Sequence, residues 1–595
     1  MEHFRVKRFE GAYTDWDETD SERGSLRQVR GLMFGHMGAL SSMPPALDSG
    51  DLYAAANALG LASCSLLRVD SGGTVYIASF NPNLGEKYRF TFIAPVRSNL
   101  GGTIPGINGA LSVTVLESGF DEDARWFGSR CGEYLIMGNG VDDNKVFECR
   151  TNVYRDLGFI SGTVDAYAKS RVHIPPCTSF AVNQAGVLFA SGNTTNYNRV
   201  WITDQPDIKT PVMVERVRSL SYSYVDVGSA GGGTTVTALS VVRDYVLAHI
   251  YNDRPVMLYA FDTNGVQGWR CRQVSSELKS SAPNPGCVVD GRGDSAYFLG
   301  SDCEVYKDVA VAPASSGEAV ARSGKIVTNR GAGAWNESIT RATGLQSSDT
   351  RIAFHEGEDL FFILATSNGS TATGLYVVNT GTLSYSGPLT LPATAMCVTE
   401  DALVLVIDGR LRVYEVAALG SVEFKTPSAG QLAAVQPLYT NPGVSATGTP
   451  RVGVNTTALT FLETVFGESY SVAAPFAKMT AGTPAGVNLW YNNARLCYFE
   501  TGYEDFGDPA SLKDFVEFHL TLRRNSVCAI GIVAETEAGV VRKNWRGLVT
   551  NTETLKTFFN MKGRRVRFRV YVVAFEGVPC AVLDFTIGWL AGVVK

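Results

Sequence analysis

The stretch ARWFGSRCGEYLIMGNGVDDNKVFEC, residues 124–149, contains a short strand, a turn at Gly132, a very apolar strand over Tyr134-Leu135-Ile136-Met137, and another strand. The phrase returns as TSFAVNQAGVLFASGNTTNYNRVWIT from Thr178 and as VTALSVVRDYVLAHIYNDRPVMLYAF from Val236. Three further copies start at Gly286, Thr350 and Ala395. The starts are 54, 58, 50, 64 and 45 residues apart, and the turn residues align as Gly132, Gly186, Asp244, Asp294, Asp359 and Asp401. Units of this length with three or four short strands read as β-propeller blades. One blade cannot bury both faces alone, and the apolar strand suits an interior covered on both sides. The fold expected is all-β, a propeller of about six blades. The alternative is a stack of unrelated antiparallel sheets, because no WD or kelch signature holds the repeats together.

Outward from the repeats, residues 1–60 read as an N-terminal arm with one helix over Leu52–Leu59, stopped by Gly60. The propeller is expected over 61–420. Pro, Thr, Ala and Gly dominate 421–508, a loop-rich insertion or tip. From 509 to 595 alternation returns as antiparallel β structure: Val516, Phe518, Leu520 and Leu522 are expected on one face, with Glu517, His519, Thr521 and Arg523 on the other. Val566, Phe568 and Val570 alternate with Arg565, Arg567 and Arg569 in the same way.

Composition narrows the function classes. The 595 residues carry 52 Lys+Arg and 58 Asp+Glu, a formal charge of −6, with only 18% charged residues and 61 Gly. This excludes a coiled coil, a collagen-like rod and a highly basic nucleic-acid coat. Eleven Cys with no C-x-x-C argue against a zinc knuckle or a thioredoxin-like motif. Scattered cysteines suit a reducing compartment. The charged, quickly acidic start is no signal peptide, and no run approaches a membrane span. A soluble protein made inside a cell, without cofactor or metal, is expected.

Motifs for catalysis are thin. No G-x-S-x-G or H-E-x-x-H occurs, and Gly317 lies too far from Gly324-Lys325 for a P-loop. Asp142-Asp143 could be a carboxylate pair for glycoside hydrolysis, but a solvated turn explains it as well. Glu356, Glu358 and Asp359 could hold Ca²⁺, or simply face water at a hairpin. Arg292-Gly293-Asp294 occupies the repeated turn position, and the Asn-x-Ser/Thr sites at Asn193, Asn336, Asn368 and Asn455 carry no weight without secretion. Phe261 through Trp269 resembles a sialidase Asp-box, but its Gly-to-Trp spacing is too long, so a turn with a packing Trp is expected. Two features suit binding. The arginines 565, 567 and 569, with Lys562 and Arg564, could grip phosphates or an acidic neighbour, or could form a strand face with acidic partners across the sheet. The apolar arm of Leu32, Met33, Phe34, Met37, Leu40 and Met43 suits docking onto another surface, or onto its own propeller.

The phrases VRGLMFGHMGALSSMPP and GEYLIMGNGVDDNKVFECRTNVYRDLGF resemble the tail nozzle (tail hub, tail tubular protein B) family of short-tailed bacteriophages. RVWITDQPD from Arg199 and FETGYEDFGDPASLKDFVEFHLTL from Phe499 resemble further phrases of phage tail proteins. The resemblance implies a homohexameric ring forming the lower tail tube beneath the portal-adaptor complex. Such a virion protein retains packaged DNA, conducts it during ejection without sequence-specific binding, and meets tail adaptor proteins and fibres or spikes. Met33, Phe34, Met37, Arg565, Arg567 and Arg569 are then candidate subunit or adaptor contacts. An envelope-degrading propeller glycosidase or lyase, and a cellular propeller scaffold, are the alternatives.

Overall fold

In the computed structural model, the apolar strand of every repeated phrase is the second strand of a four-stranded antiparallel sheet: Tyr134–Gly138, Leu188–Ser191, Tyr245–Ile250, Ser295–Leu299, Leu360–Thr366 and Ala402–Ile407. Tyr134–Gly138 and Ala402–Ile407 are buried at every position, as strands held between neighbouring blades must be. The residues described are the strands and their shorter turns; outside them lie 13–24, 52–63, 95–111, 158–173, 203–223, 274–284, 326–349, 421–493 and several shorter segments.

Seven such sheets are present among the described residues, one more than the phrase count suggests. The additional blade is the first, with strands Cys64–Asp70, Thr74–Phe80, Tyr88–Ala94 and Ser112–Phe120. Its second strand reads TVYIASF, an apolar run like those of the other copies. The first strands of the blades touch in succession, and Ala393–Val398 of blade 7 returns to Cys64–Asp70 of blade 1. The protein is a β-propeller closed on itself. Blade 7 takes its outermost strand, Leu47–Asp51, from the other end of the propeller segment, with Leu47 opposite Val413 and Asp51 opposite Arg410. The helix expected over Leu52–Leu59 lies outside the described residues.

Among its described residues, the arm expected over residues 1–60 is largely sheet. Its strands join the C-terminal strands in two six-stranded sheets that form a sandwich, called the platform below. Sheet I runs Thr554–Gly563, Lys513–Leu522, Ala581–Ala591, Leu40–Ser41 and Met33–Phe34, with Glu2–Val6 also pairing to Ala581–Ala591. Sheet II runs Gly11–Ala12, Ser25–Arg30, Ala494–Thr501, Val566–Phe575, Val527–Thr536 and Val541–Thr550. Ala494–Thr501, expected within the loop-rich section, is therefore a central strand. Phe518 of sheet I stacks on Phe568 of sheet II at 4.5 Å between ring centres, which closes the interior.

One register detail departs from simple alternation. A bulge between Phe515 and Glu517 turns Phe515 inward beside Phe518 and leaves Val516 half-buried. From Phe518 onward Leu520 and Leu522 are buried as expected. The platform grips the propeller at blade 6, whose outermost strand Ser384–Leu389 touches Gly11–Ala12, Ser25–Arg30 and Met33–Phe34. One apolar cluster runs from Leu26, Phe499 and Phe518 into Tyr297 of blade 5 and Phe361 and Ile363 of blade 6.

Candidate interaction surface

The arginine strand Val566–Phe575 lies between two strands that place a carboxylate opposite each guanidinium. Glu535 registers with Arg567, and Glu500 with Arg569. Arg567 donates to Glu535 Oε2 through Nε at 3.0 Å and Nη2 at 2.8 Å, and to Glu500 Oε1 at 3.4 Å. Arg569 pairs with the other oxygen of Glu500. Tyr503 lies 4.8 Å from the Arg567 guanidinium, and Tyr571 accepts from Arg569 at 3.4 Å. Burial would lower both arginine pKa values, but the hydrogen bonds and the carboxylates more than offset it and raise them. Arg567 and Arg569 are thus committed within the chain. Glu500, only 2% exposed, is their shared counter-charge.

Met33 is core. At 2% exposure it packs in the cluster of Leu360, Leu389 and Met396 between platform and propeller, which corrects its assignment as an outward contact. Phe34 is half-buried against the platform core, and Met37 lies outside the described residues. Met33 and Met43 pack on blade residues and Leu40 joins the cluster shared with the platform, so their apolar character is explained by the chain itself.

Further basic groups sit at one end of the sandwich. There the turn after Thr536 meets the turn after Gly563, where a side chain at 563 would come within 2.9 Å of Thr536 Cβ. The Glu537 carboxylate binds these turns together by accepting the N–H groups of Arg564 at 2.8 Å and Arg565 at 2.9 Å. Burial opposes its ionisation, yet these bonds keep its pKa below the usual carboxylate value. Arg542, Lys543, Lys562 and Arg564 are all exposed here, beside exposed Val540 and Val541. Among the described residues Lys562 has only a loose carboxylate, Asp514 at 3.8 Å. Arg565 is half-buried and makes no ion pair among the described residues.

A second charged group escaped sequence reading because its members are distant along the chain. Buried Glu517 faces His519 at 3.2 Å, His3 at 3.8 Å and Lys556 at 2.5 Å. Gly588, opposite it, leaves the space: a Cβ there would lie 2.6 Å from Glu517 Cγ. The Lys556 hydrogen bond lowers the Glu517 pKa. The only signal in sequence was the alternate placement of 517 and 519 on one strand.

On the propeller, Asn139 and Asn193 build equivalent turns in blades 2 and 3. Asn139 Oδ1 accepts from the N–H of Val141 at 3.0 Å and of Asp142 at 2.8 Å, and Asn193 Oδ1 does the same for Thr195 and Asn196 at 3.0 and 2.9 Å. Asp142 is committed to this turn, accepting from Asn139 Nδ2 at 2.7 Å and from the N–H of Asp121 at 2.8 Å. Asn193 is buried and donates to the carbonyl of Pro176, which explains this Asn-x-Thr site without any glycan. Asp359 occupies a left-handed turn (φ 52°) after His355, whose Nδ1 accepts the N–H of Glu358 at 3.0 Å. Trp269 packs edge-on to Phe189 at 4.9 Å. Arg292-Gly293-Asp294 and the sites at Asn336, Asn368 and Asn455 lie outside the described residues. Among the described residues no group of three or more His, Cys, Asp or Glu is arranged to hold a metal. Among the described residues no helix is long and apolar enough to cross a membrane.

No family model and no curated protein matches the chain. Solved structures do. The β-propeller domain of the trilobed protease from Pyrococcus furiosus is 11% identical over 60% of this chain and 94% of that one, with a TM-score of 0.27. BamB from Moraxella catarrhalis is 13% identical over 59% and 97%, with a TM-score of 0.23. Hydrazine synthase from Kuenenia stuttgartiensis is 12% identical over 51% and 80%, with a TM-score of 0.28. At this distance the likenesses carry no argument about function.

Proposed function

We propose that this chain is a structural tail protein of a short-tailed bacteriophage, assembling as a ring that retains packaged DNA and conducts it during ejection. The observation that carries this reading is the joining of both chain ends into a sandwich clamped onto blade 6 of a closed propeller. A propeller leaves only short edges and behaves as a rigid block. The sandwich adds a second rigid body with its own ends and faces, which ring assembly can use. The phrases at Gly138-Asn139-Gly140 and from Phe499, resembling the nozzle family, supply the identity of the assembly. A net charge of −6 is compatible with DNA sliding past, whereas a strongly basic lumen would hold phosphates.

The direct test is imaging of tails containing the protein. Several copies surrounding the DNA axis are expected, six by the family resemblance. A single axial copy, or a peripheral spike position, overturns the reading.

A further inference from the structure

We propose that the far margin of the platform, where exposed Val541, Phe558 and Leu590 are set among cations, docks on the turns of blades 2 and 3 in a second copy of this chain. The inference rests on the ring reading and names the contact that would join one subunit to the next.

Exposed apolar side chains locate the two surfaces. Among the described residues, every exposed large hydrophobic side chain except Met1 belongs either to the platform or to blades 2 and 3. Leu512, Val540, Val541, Phe558 and Leu590 are in the platform, and Val141, Val153 and Tyr197 are in the two blades. Single exposed hydrophobics are ordinary, but their gathering in two places marks contact surfaces.

The platform surface is the margin turned away from its own propeller. In sheet II, Val541–Thr550 is the edge opposite Gly11–Ala12, which with Ser25–Arg30 holds blade 6. In sheet I, Thr554–Gly563 is the edge opposite Met33–Phe34, and the two far edges touch each other. Lys556, Phe558, Asn560 and Lys562 alternate outward along Thr554–Gly563, with Phe558 57% exposed. Lys562 and Leu590 flank Asp514 in register. Arg542, Lys543, Lys562, Arg564 and Arg565 stand here against Glu537, Asp514 and Asp508. Glu537 and Asp508 already accept backbone N–H groups of their own turns. The margin is apolar with a surplus of positive charge.

The propeller surface lies on the far side from that platform. First strands touch in succession around the seven blades, so blades 2 and 3 each stand three places from blade 6. Their asparagine-built turns read NGVDDN over 139–144 and NTTNYN over 193–198, with two Asp and no Lys or Arg. The turns are neighbours, since Thr194 donates to the carbonyl of Gly140 at 3.4 Å. Val141, Asp143 and Tyr197 are exposed on them, and Asp121 joins the same place through its N–H bond to Asp142. This surface is apolar with a surplus of negative charge.

Charge and placement together select a second copy. Each surface supplies the charge that the other lacks around a similar apolar centre. Within one copy they cannot meet, because blade 6 fixes the platform on the side opposite blades 2 and 3. Both are built from hydrogen-bonded strands and turns, so docking requires no ordering of a loose segment. Two unlike surfaces meeting make a head-to-tail contact, which generates rings when the rotation closes.

The test uses two full-length variants. Val541→Asp/Phe558→Asp spoils the platform margin, and Val141→Asp/Tyr197→Asp spoils the blade turns. Each alone should weaken assembly about tenfold or more. Mixed, they retain one intact pair of surfaces and should form a one-to-one dimer and nothing larger by analytical ultracentrifugation. Variants that each assemble like wild type, or a mixture that forms no dimer, overturn the contact. Unchanged circular dichroism and melting temperature show that each variant folds. Wild-type protein gives a readout free of that requirement. Natural-isotope and ¹⁵N-labelled protein, assembled together and treated with a zero-length carbodiimide, should join Lys543 or Lys562 to Asp143 with one light and one heavy partner. Rings in solution or in tails without that joined pair overturn the contact alone. Wild-type protein that is monomeric in solution and single-copy in tails refutes the ring reading itself.

Discussion

His249 Nε2 lies 2.9 Å from Ser240 Oγ on the neighbouring strand of blade 4, and the two residues are only 0% and 1% exposed. The imidazole packs on Phe298 of blade 5 at 4.9 Å between ring centres. A Ser–His pair can serve nucleophilic catalysis only where substrate reaches it. Here the pair is a polar tie between strands in a closed blade interface. Burial lowers the His249 pKa to about 3.

This makes the protein acid-sensitive in a defined window. The unfolded imidazole takes a proton below about pH 6.5, while the folded one resists until about pH 3. The unfolded state therefore binds more protons as pH falls, and stability declines through that interval. The loss attributable to this group is about 2 kcal/mol at pH 5 relative to pH 8. Denaturant titrations of wild type and His249→Gln should show a smaller drop between those pH values in the variant, whatever its absolute stability. An equal drop in both would contradict the account.

Glycines at similar backbone angles should differ in tolerance. Gly192 (φ +80°) would place a Cβ 1.9 Å from Thr178 Oγ1, whereas Gly507 (φ +81°) has nothing within 4 Å. Gly507→Ala should cost only the left-handed strain, about 1–2 kcal/mol. Gly192→Ala adds overpacking of about 1–3 kcal/mol. Thermal unfolding should show the larger fall in melting temperature for Gly192→Ala.

Removing Glu500 should cost more than removing Glu535. Glu500 is almost wholly buried and serves both arginines, while Glu535 serves Arg567 alone and is half-buried. Both arginines keep some solvent access, so Glu500→Gln should destabilise by about 2 kcal/mol rather than the 3–5 kcal/mol of a fully buried broken pair. Glu535→Gln should cost about 1 kcal/mol or less. Equal losses in denaturant midpoints would show that burial of Glu500 does not govern the site.

The asparagine turns give a fourth expectation. Asn139→Ala and Asn193→Ala each remove a buried side chain that holds two backbone N–H groups of a partly exposed turn. With water able to reach the freed donors, each should cost about 0.5–1.5 kcal/mol. Hydrogen exchange should accelerate at Val141 and Asp142 in the first variant and at Thr195 and Asn196 in the second. Faster exchange spread evenly over the blade would argue for general loosening instead.

The propeller was legible because its signal is local: an apolar run such as Ala402–Ile407 reports burial on both faces within six residues. The first blade was missed although its second strand, TVYIASF, carries a similar apolar run. The platform was half legible. Alternation at Val566–Val570 gave its strands, but nothing local pairs Phe4 with Ile587 or Leu26 with Thr501. The Phe515–Glu517 bulge also lay beyond sequence, because alternation presumes an unbroken register. At the candidate surface the arginines were recognised as a stripe, but their fate depended on carboxylates 32 and 67 residues away in sequence.

The pairing of Glu2–Val6 with Ala581–Ala591 also bears on the order of folding during synthesis. At ribosomal speeds of about 5–20 residues per second, the first strand waits roughly half a minute or longer for its partner. Ser25–Arg30 must likewise wait for Ala494–Thr501, and Leu47–Asp51 for Arg410–Glu415. The middle blades, whose strands are near neighbours in sequence, can form while the early strand edges remain unpaired. Those edges are where premature association would begin. A chain cut short before residue 494 would lose the partners of both sheets while keeping every propeller strand, so truncation should leave a folded propeller with a sticky, incomplete base.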